Sequence, residues 1–336
     1  MSSNPLLKVE DLKTYFYTAS GVAKAVDGVN FTLDHGQTLG IVGESGSGKS
    51  VTSSSIMRLL PRNGKIVGGK ILFEGQDLVQ ISNQEMLKIR GNDISMIFQD
   101  PMTSLDPVFT IGSQILEVIN AHQKLSKEEA KKYAIDVLRM VGIPDPEKRL
   151  KAYPHEFSGG MRQRVMIAMA IVCKPKLIIA DEPTTALDVT VQAQVLGLMK
   201  DLQKQTNTSI ILVTHNLGVV WKMCDHVMVM YAGKTVEYAD VKTLYQDARH
   251  PYTWGLLKSM PKVTDDPNVP LASIPGTPPD LKLTGNSCNF HNRCKYCQEI
   301  CCSRSPEMKE VAPGHFVACH FTKEQLEKIG GENDGR

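Results

Sequence analysis

The 336-residue chain is 42% apolar and carries a formal net charge of +2. That length holds about two domains, and the apolar content suffices for a sizeable core and excludes global disorder. The near-neutral balance gives no electrostatic reason to expect nucleic acid as the main partner.

Residues 1–10 lack a basic start followed by an apolar run, and no stretch approaches the roughly 18 to 20 uncharged apolar residues of a membrane span. A cytosolic chain is predicted, one able to dock on a membrane protein. Residues 6–42 read as β-rich, with strands over 7–12, 29–33 and 38–42, the last running into a Gly-rich loop. A strand over 70–73 meets the turn Glu74-Gly75, and a short strand over 94–98 ends at Gln99. Ser126 and Glu129 form a capping box. Behind it Ala130, Tyr133, Ala134, Val137, Leu138 and Val141 recur at helical spacing until Gly142 and Pro144 stop the helix. Residues 165–172 are predicted to continue as a helix, and buried strands are predicted over 177–180 and 210–213. Strands alternating with helices predict a mostly parallel α/β sheet. Beyond about residue 250, seven prolines from Pro251 to Pro279 are expected to break up regular structure, and a polar tail is expected from Thr322 onward.

Gly43-Glu44-Ser45-Gly46-Ser47-Gly48-Lys49-Ser50, with Val51 behind it, matches the phosphate loop G-x-x-x-x-G-K-S between a strand and a helix. Its glycines let backbone N–H groups face phosphate oxygens, Lys49 reaches the β- and γ-phosphates, and Ser50 ligates Mg²⁺. A second anion cradle stands more than a hundred residues later: Ser158-Gly159-Gly160 opens an apolar helix, whose N-terminal N–H groups and dipole favour negative charge. One nucleotide needs one such cradle, so two suggest that each completes a site on another molecule. The strand over 177–180 ends in Asp181-Glu182, which places Asp181 toward Mg²⁺ and Glu182 as general base on the attacking water. Gln99 has an amide able to contact both Mg²⁺ and that water. Gly43, Gln99, Asp181 and His215 all lie at or just beyond strand C-termini, where a parallel sheet gathers its ligands.

In order and spacing these motifs resemble the ATP-binding cassette family over about residues 6–250. The family's phosphate loop, Gln loop, signature, acidic pair, A-L-D turn and switch histidine stand here as 43–50, Gln99, Ser158-Gly159-Gly160, Asp181-Glu182, Ala186-Leu187-Asp188 and His215. Phe157 and Met161 replace the signature's Leu and Gln. The resemblance implies an α/β P-loop cassette with an N-terminal β-subdomain, a RecA-like core, a helical subdomain over about 100–165 and a small Cys-rich C-terminal extension over 251–336. It implies ATP and Mg²⁺ as ligands, with Glu182, His215 and Gln99 as the hydrolytic residues. It also implies a head-to-tail pair in which each ATP lies between one phosphate loop and the other subunit's signature, and Asp188 couples the two sites. Adenine is expected to stack on one of Tyr15, Phe16 and Tyr17, with Phe16 favoured and Tyr17 next, and Met102, Leu105 and Phe109 either line the groove that receives membrane subunits or belong to the core.

The segment from His250-Pro251-Tyr252-Thr253 to Pro279, with the flanks of the signature, resembles the oligopeptide/dipeptide permease "D" branch. That implies an ATPase powering peptide import from the cytoplasmic face of the membrane. Its implied partners are two integral-membrane subunits, a second identical or related ATPase, and an extracytoplasmic peptide-binding protein. Import of another cargo such as nickel complexes is the alternative, and a soluble cassette ATPase acting on ribosomes or DNA is a remoter one. Cys173 and Cys224 sit in apolar segments and read as core thiols. Cys288, Cys294, Cys301 and Cys319 space as C-x5-C-x6-C-x17-C, with Cys297 and Cys302 in surplus. Four thiolates suit either an iron–sulfur cluster or tetrahedral Zn²⁺. The resemblance implies a [4Fe–4S] cluster on those four and leaves zinc as runner-up, with Cys301 or Cys302 as the third ligand.

Overall fold

A computed structural model describes residues 5–185, 187–261 and 273–334, which fold into two compact units. Ala186, Pro267 and Pro270, and the side chain of Met102, lie outside the described residues. The strands in chain order begin β1 (Leu7–Thr18), β2 (Gly21–Leu33), β3 (Thr38–Val42), β4 (Gly64–Phe73), β5 (Gln76–Asp77) and β6 (Ile94–Ile97). They continue with β7 (Leu177–Asp181), β8 (Ser209–Val213), β9 (His226–Tyr231), β10 (Lys234–Asp240), β11 (Lys309–Ala312) and β12 (His315–Val317).

One unit is built around Gln80–Val213 with Leu33–Thr38. Its strands run in the order β8-β7-β6, all parallel. All five residues of β7 and of β8 are buried, which is why both read as unbroken apolar runs rather than alternating ones. The helix Lys127–Met140 has the expected Ser126/Glu129 capping box and buries Ala130, Ala134, Val137 and Leu138. Gly142, at φ 76°, lets the chain leave it in the left-handed region. The helix Gly159–Ile171 starts at the signature, where the Ser158-Gly159-Gly160 run places its opening.

The other unit joins Leu7–Thr32, Leu39–Val79 and the chain from Thr214 onward. One sheet, β2-β1-β4-β5, pairs β1 with β4 and β4 with β5 antiparallel. A second runs β11-β12-β10-β9-β3, in which only β3 and β9 are parallel. The expected mostly parallel sheet therefore holds for β6–β8 and for β3/β9. It fails where the C-terminal segment adds β11 and β12 to β10. Two expectations about the end of the chain are also corrected. Pro251 opens the helix Pro251–Lys258 instead of breaking structure, because the first helical position needs no N–H. The polar tail is the helix Lys323–Asp334, anchored by buried Leu326 and by Lys323 on Asp247 at 2.8 Å. Among the described residues, no helix is long and apolar enough to cross a membrane.

Candidate functional site

The phosphate loop links β3 to the helix Lys49–Ile56 and is held by contacts that exclude side chains. Gly43 and Gly48 take φ of 152° and 106°, and a Cβ on either would lie 2.2 Å from Met230 O or 2.3 Å from Ala25 O. Only glycine fits those two positions. A Cβ on Gly46 would meet nothing within 4 Å among the described residues, so the loop faces open space at that position. Lys49 is buried and folds back, its Nζ donating to Gly43 O at 2.8 Å and Glu44 O at 2.9 Å. The Ser47 hydroxyl is buried with no hydrogen-bond partner among the described residues. An orphaned polar atom and a re-aimable lysine beside an open Gly-rich cradle are the features a phosphate chain would satisfy. Ser50 is exposed on the first turn of the helix. His215 is exposed just before the helix Leu217–Met223 of the same unit.

Gln99, Asp181 and Glu182 belong to the other unit, with the signature. Asp181 is the buried last residue of β7. Glu182 turns off the strand with φ 46°, its N–H donating to Val213 O at 2.8 Å. Its Oε2 accepts from Gln99 Nε2 at 3.0 Å and from Thr185 Oγ1 at 2.9 Å. The structure thus brings Gln99 and Glu182 into direct contact and adds Thr185, which the sequence reading missed although it sits one helical turn beyond Glu182. Ser158 caps its helix, its Oγ accepting from Met161 N–H at 3.3 Å. A Cβ on Gly159 would meet nothing within 4 Å, whereas one on Gly160 would lie 2.7 Å from Val191 Cγ1. Phe157, in place of the signature Leu, is buried under the Arg149 guanidinium. Asp188 caps the helix Val189–Thr206 through Val191 N–H at 2.9 Å, a structural duty the sequence reading did not give it.

Of the aromatics in β1, Tyr15 is tied down by its hydroxyl to Asp27 at 2.8 Å. Phe16 packs against Gly64, and Tyr17 is exposed. In the expected docking groove, Leu105 is buried and belongs to the core, while Phe109 is exposed with Val108 and Phe98.

The C-terminal segment reaches the phosphate loop. Arg293 makes a two-pronged ion pair with Glu44, NH1 to Oε2 at 2.6 Å and NH2 to Oε1 at 3.0 Å. Glu44 N–H donates to the Tyr252 hydroxyl at 2.9 Å. Burial pushes the Tyr252 phenol up, and the Glu44 carboxylate raises the Arg293 guanidinium further. Tyr231, Tyr252 and Phe290 pack edge-on or tilted with centroids 4.6 to 5.4 Å apart. Glu237, fully buried on β10, accepts from the backbone N–H groups of Arg249 and His250 and meets His315 Nε2 at 2.8 Å. It joins β10, the start of the helix Pro251–Lys258, and β12.

Cys288, Cys294, Cys301 and Cys319 line one small cavity with His291 and His320. Burial pushes the Cys288 thiol up to about 11, Cys294 up to about 12, and Cys319 upward. Cys301 is buried in this cavity while Cys302 is exposed, with its Sγ 3.8 Å from Cys297 Sγ. His315 is occupied by Glu237, and His320 Nε2 lies 2.9 Å from Arg304 O. Among the described residues, no group of three or more His, Cys, Asp or Glu closes to hold a single metal ion. The four thiols thus share a cavity without closing around a metal ion. Cys301 is buried and the other three thiols are partly exposed, and four such soft donors are of the kind that a zinc ion or a sulfide-bridged iron cluster would use. Cys224 is buried and Cys173 partly so, with burial raising the Cys173 thiol.

Residues 26–185 match the ABC transporter family, and residues 236–301 match the oligopeptide/dipeptide transporter C-terminal region. The chain is 57% identical to the oligopeptide transport ATP-binding protein OppD of Bacillus subtilis, over 93% of this chain and 87% of that one. It is 49% identical to OppD of Salmonella typhimurium, over 96% of each. With the dipeptide transport ATP-binding protein DppD of Bacillus subtilis the identity is 50%, again over 96% of each. Among solved structures it is similar to the dimeric post-hydrolysis state of the ATP-binding cassette MJ0796 bound to ADP and Pi. That match has a TM-score of 0.63 and 26% identity, over 70% of this chain and 98% of that one.

Proposed function

Because the chain belongs to the ABC transporter family and carries the oligopeptide/dipeptide C-terminal region, we propose that it is the ATP-hydrolysing subunit of a peptide importer. The observation that carries hydrolysis, beyond binding, is the Glu182 carboxylate at the end of a buried strand, oriented by Gln99 and Thr185. A carboxylate so held is placed to take the proton of an attacking water. In this reading Lys49 leaves its two carbonyl partners to bind the β- and γ-phosphates, and the loop N–H groups and the Ser47 hydroxyl hold the phosphate oxygens. Phe16 or Tyr17 stacks on adenine, and His215 steadies the γ-phosphate. Ser50, Gln99 and Asp181 would hold Mg²⁺, which supplies neutralisation of phosphate charge when bound. Ser158, Gly159 and Gly160 offer their N–H groups to the nucleotide of a second ATPase subunit, identical or related, and Asp188 couples the two sites.

The exposed Phe98, Val108 and Phe109 are the surface offered to two membrane subunits. Peptide is delivered by an extracytoplasmic binding protein, and the chain works at the cytoplasmic face of the membrane. Cys288, Cys294, Cys301 and Cys319 are the residues that would hold a [4Fe–4S] cluster, supplying four thiolate ligands to its irons. The four thiols must lose protons on binding, so high pH favours loading.

The test is co-purification with the membrane subunits, followed by ATP hydrolysis with and without peptide-loaded binding protein. Peptide-stimulated turnover is expected; a complex that forms but hydrolyses no ATP overturns the proposal. Iron and sulfide analysis after anaerobic purification tests the cluster, which requires about four of each per chain.

A further inference from the structure

Glu44 is held from the C-terminal segment at both its ends. Its carboxylate takes both prongs of Arg293, and its backbone N–H donates to the Tyr252 hydroxyl. Its carbonyl accepts from Lys49 Nζ, the group that must swing to phosphate. The Arg293 side chain is only 4% exposed. Its remaining donors are spent on Pro275 O at 2.8 Å, Ile274 O at 3.1 Å and the Tyr231 hydroxyl at 3.4 Å. A guanidinium fixed on that many sides is a rigid strut, and a bidentate pair fixes the orientation of its carboxylate partner as well as its position. Arg293 immediately precedes Cys294, which lines the four-cysteine cavity, and Phe290 of the same segment packs on Tyr231 and Tyr252.

We propose that Arg293 and Tyr252 are positioning residues for the phosphate loop, so that the state of the Cys-rich segment sets the affinity of the loop for ATP. The inference rests on the reading of that loop as an ATP site. Thermodynamic reciprocity then requires ATP to stabilise the C-terminal segment in return.

The experiment measures Mg²⁺-ATP affinity of the purified complex with a fluorescent ATP analogue, together with the melting temperature. Arg293→Ala is expected to weaken binding about tenfold and Arg293→Lys nearly as much, since a point charge cannot replace the fork. Tyr252→Phe keeps the ring and loses only the hydroxyl, and is expected to weaken binding about threefold. The double variant Arg293→Ala/Glu44→Gln should bind no worse than Arg293→Ala alone, because the two act as one unit. Unchanged affinity in Arg293→Lys and Tyr252→Phe, even with a lowered melting temperature, overturns the proposal. Failure of the wild-type complex to bind the analogue instead overturns the ATP-site reading.

Cys297 and Cys302 do not line the four-cysteine cavity, although Cys297 also touches Cys301. They flank the start of the helix Glu299–Ser303, with Sγ atoms 3.8 Å apart and Cys302 exposed. A disulfide needs its sulfurs at about 2.05 Å, so the pair must close from its 3.8 Å separation. We infer that this pair is a reversible disulfide site acted on by low-molecular-weight disulfides. One Cys302 sulfur attacks the small disulfide and releases one small thiol; Cys297 then displaces the second, so two protein thiols become one disulfide and two small thiols leave. The test is exposure of the complex to oxidised glutathione, alkylation and peptide mapping. A Cys297–Cys302 crosslink is expected, reversible by dithiothreitol and absent in Cys302→Ser. A glutathione adduct persisting on Cys302, untouched thiols, or crosslinks into the cavity would each refute it.

Discussion

The two anion cradles of this chain are built to opposite tolerances. In the phosphate loop a methyl group at Gly43 or Gly48 would strike backbone oxygens at 2.2 and 2.3 Å, Lys49 is buried, and the C-terminal segment grips Glu44 from 249 residues away. At the signature Ser158 is exposed, and a methyl on Gly159 would meet nothing within 4 Å. A loop that must wrap phosphates by itself is shaped by its own fold. A helix end that serves a nucleotide held by another subunit need only present its N–H groups outward. On the proposed reading, the difference separates the half of each nucleotide site that one chain finishes from the half that awaits a partner.

Gly48→Ala probes the tighter cradle and carries the largest expected effect. Backbone strain of about 1–3 kcal/mol at φ 106° adds to the clash with Ala25 O. ATP affinity should fall by about a hundredfold or more, read by nucleotide titration. Gly159→Ala probes the open one. Folding and ATP binding by the chain alone should be unchanged within about 0.5 kcal/mol, while turnover of the assembled complex drops about tenfold because the facing site loses a close approach. Equal damage to ATP binding from both substitutions would erase the contrast. The smallest effect is on pH. Burial holds the His250 imidazole down at about 4, against an ordinary value of about 6.5. The unfolded chain therefore takes up the proton first as pH falls. The contribution of neutral His250 is full above about pH 6.5 and is lost progressively toward pH 4. His250 caps the helix that carries Tyr252, so mild acid should lower the melting temperature by a few degrees and loosen the phosphate loop before the signature helix. His250→Asn, which keeps a capping oxygen, should flatten that dependence in a pH series of thermal melts.

The phosphate loop, the acidic pair and the helix Lys127–Met140 were legible because each is written in contiguous residues: glycines at fixed offsets, an apolar run ending in carboxylates, a capping box before a 3.6-residue period. Arg293 and Tyr252 carried no such signal. Their partner lies 249 and 208 residues away, and an arginine in a Pro- and Cys-rich stretch looks like any solvated charge. Glu237 likewise reads as one more strand polar residue until β12 brings His315 to it. Pro251 misled because prolines stop helices in their interior and start them at their first turn, and only the His250 cap distinguishes the two. Six crowded cysteines announced thiol chemistry, but which four share a cavity and which two face each other depended on the fold.

The most direct test of the central claim, that Glu182 drives ATP hydrolysis for peptide movement, is Glu182→Gln in the membrane complex reconstituted into vesicles. ATP binding at wild-type affinity is expected, with turnover reduced about a hundredfold or more and ATP-dependent peptide uptake abolished. Turnover or uptake near the wild-type rate would contradict it.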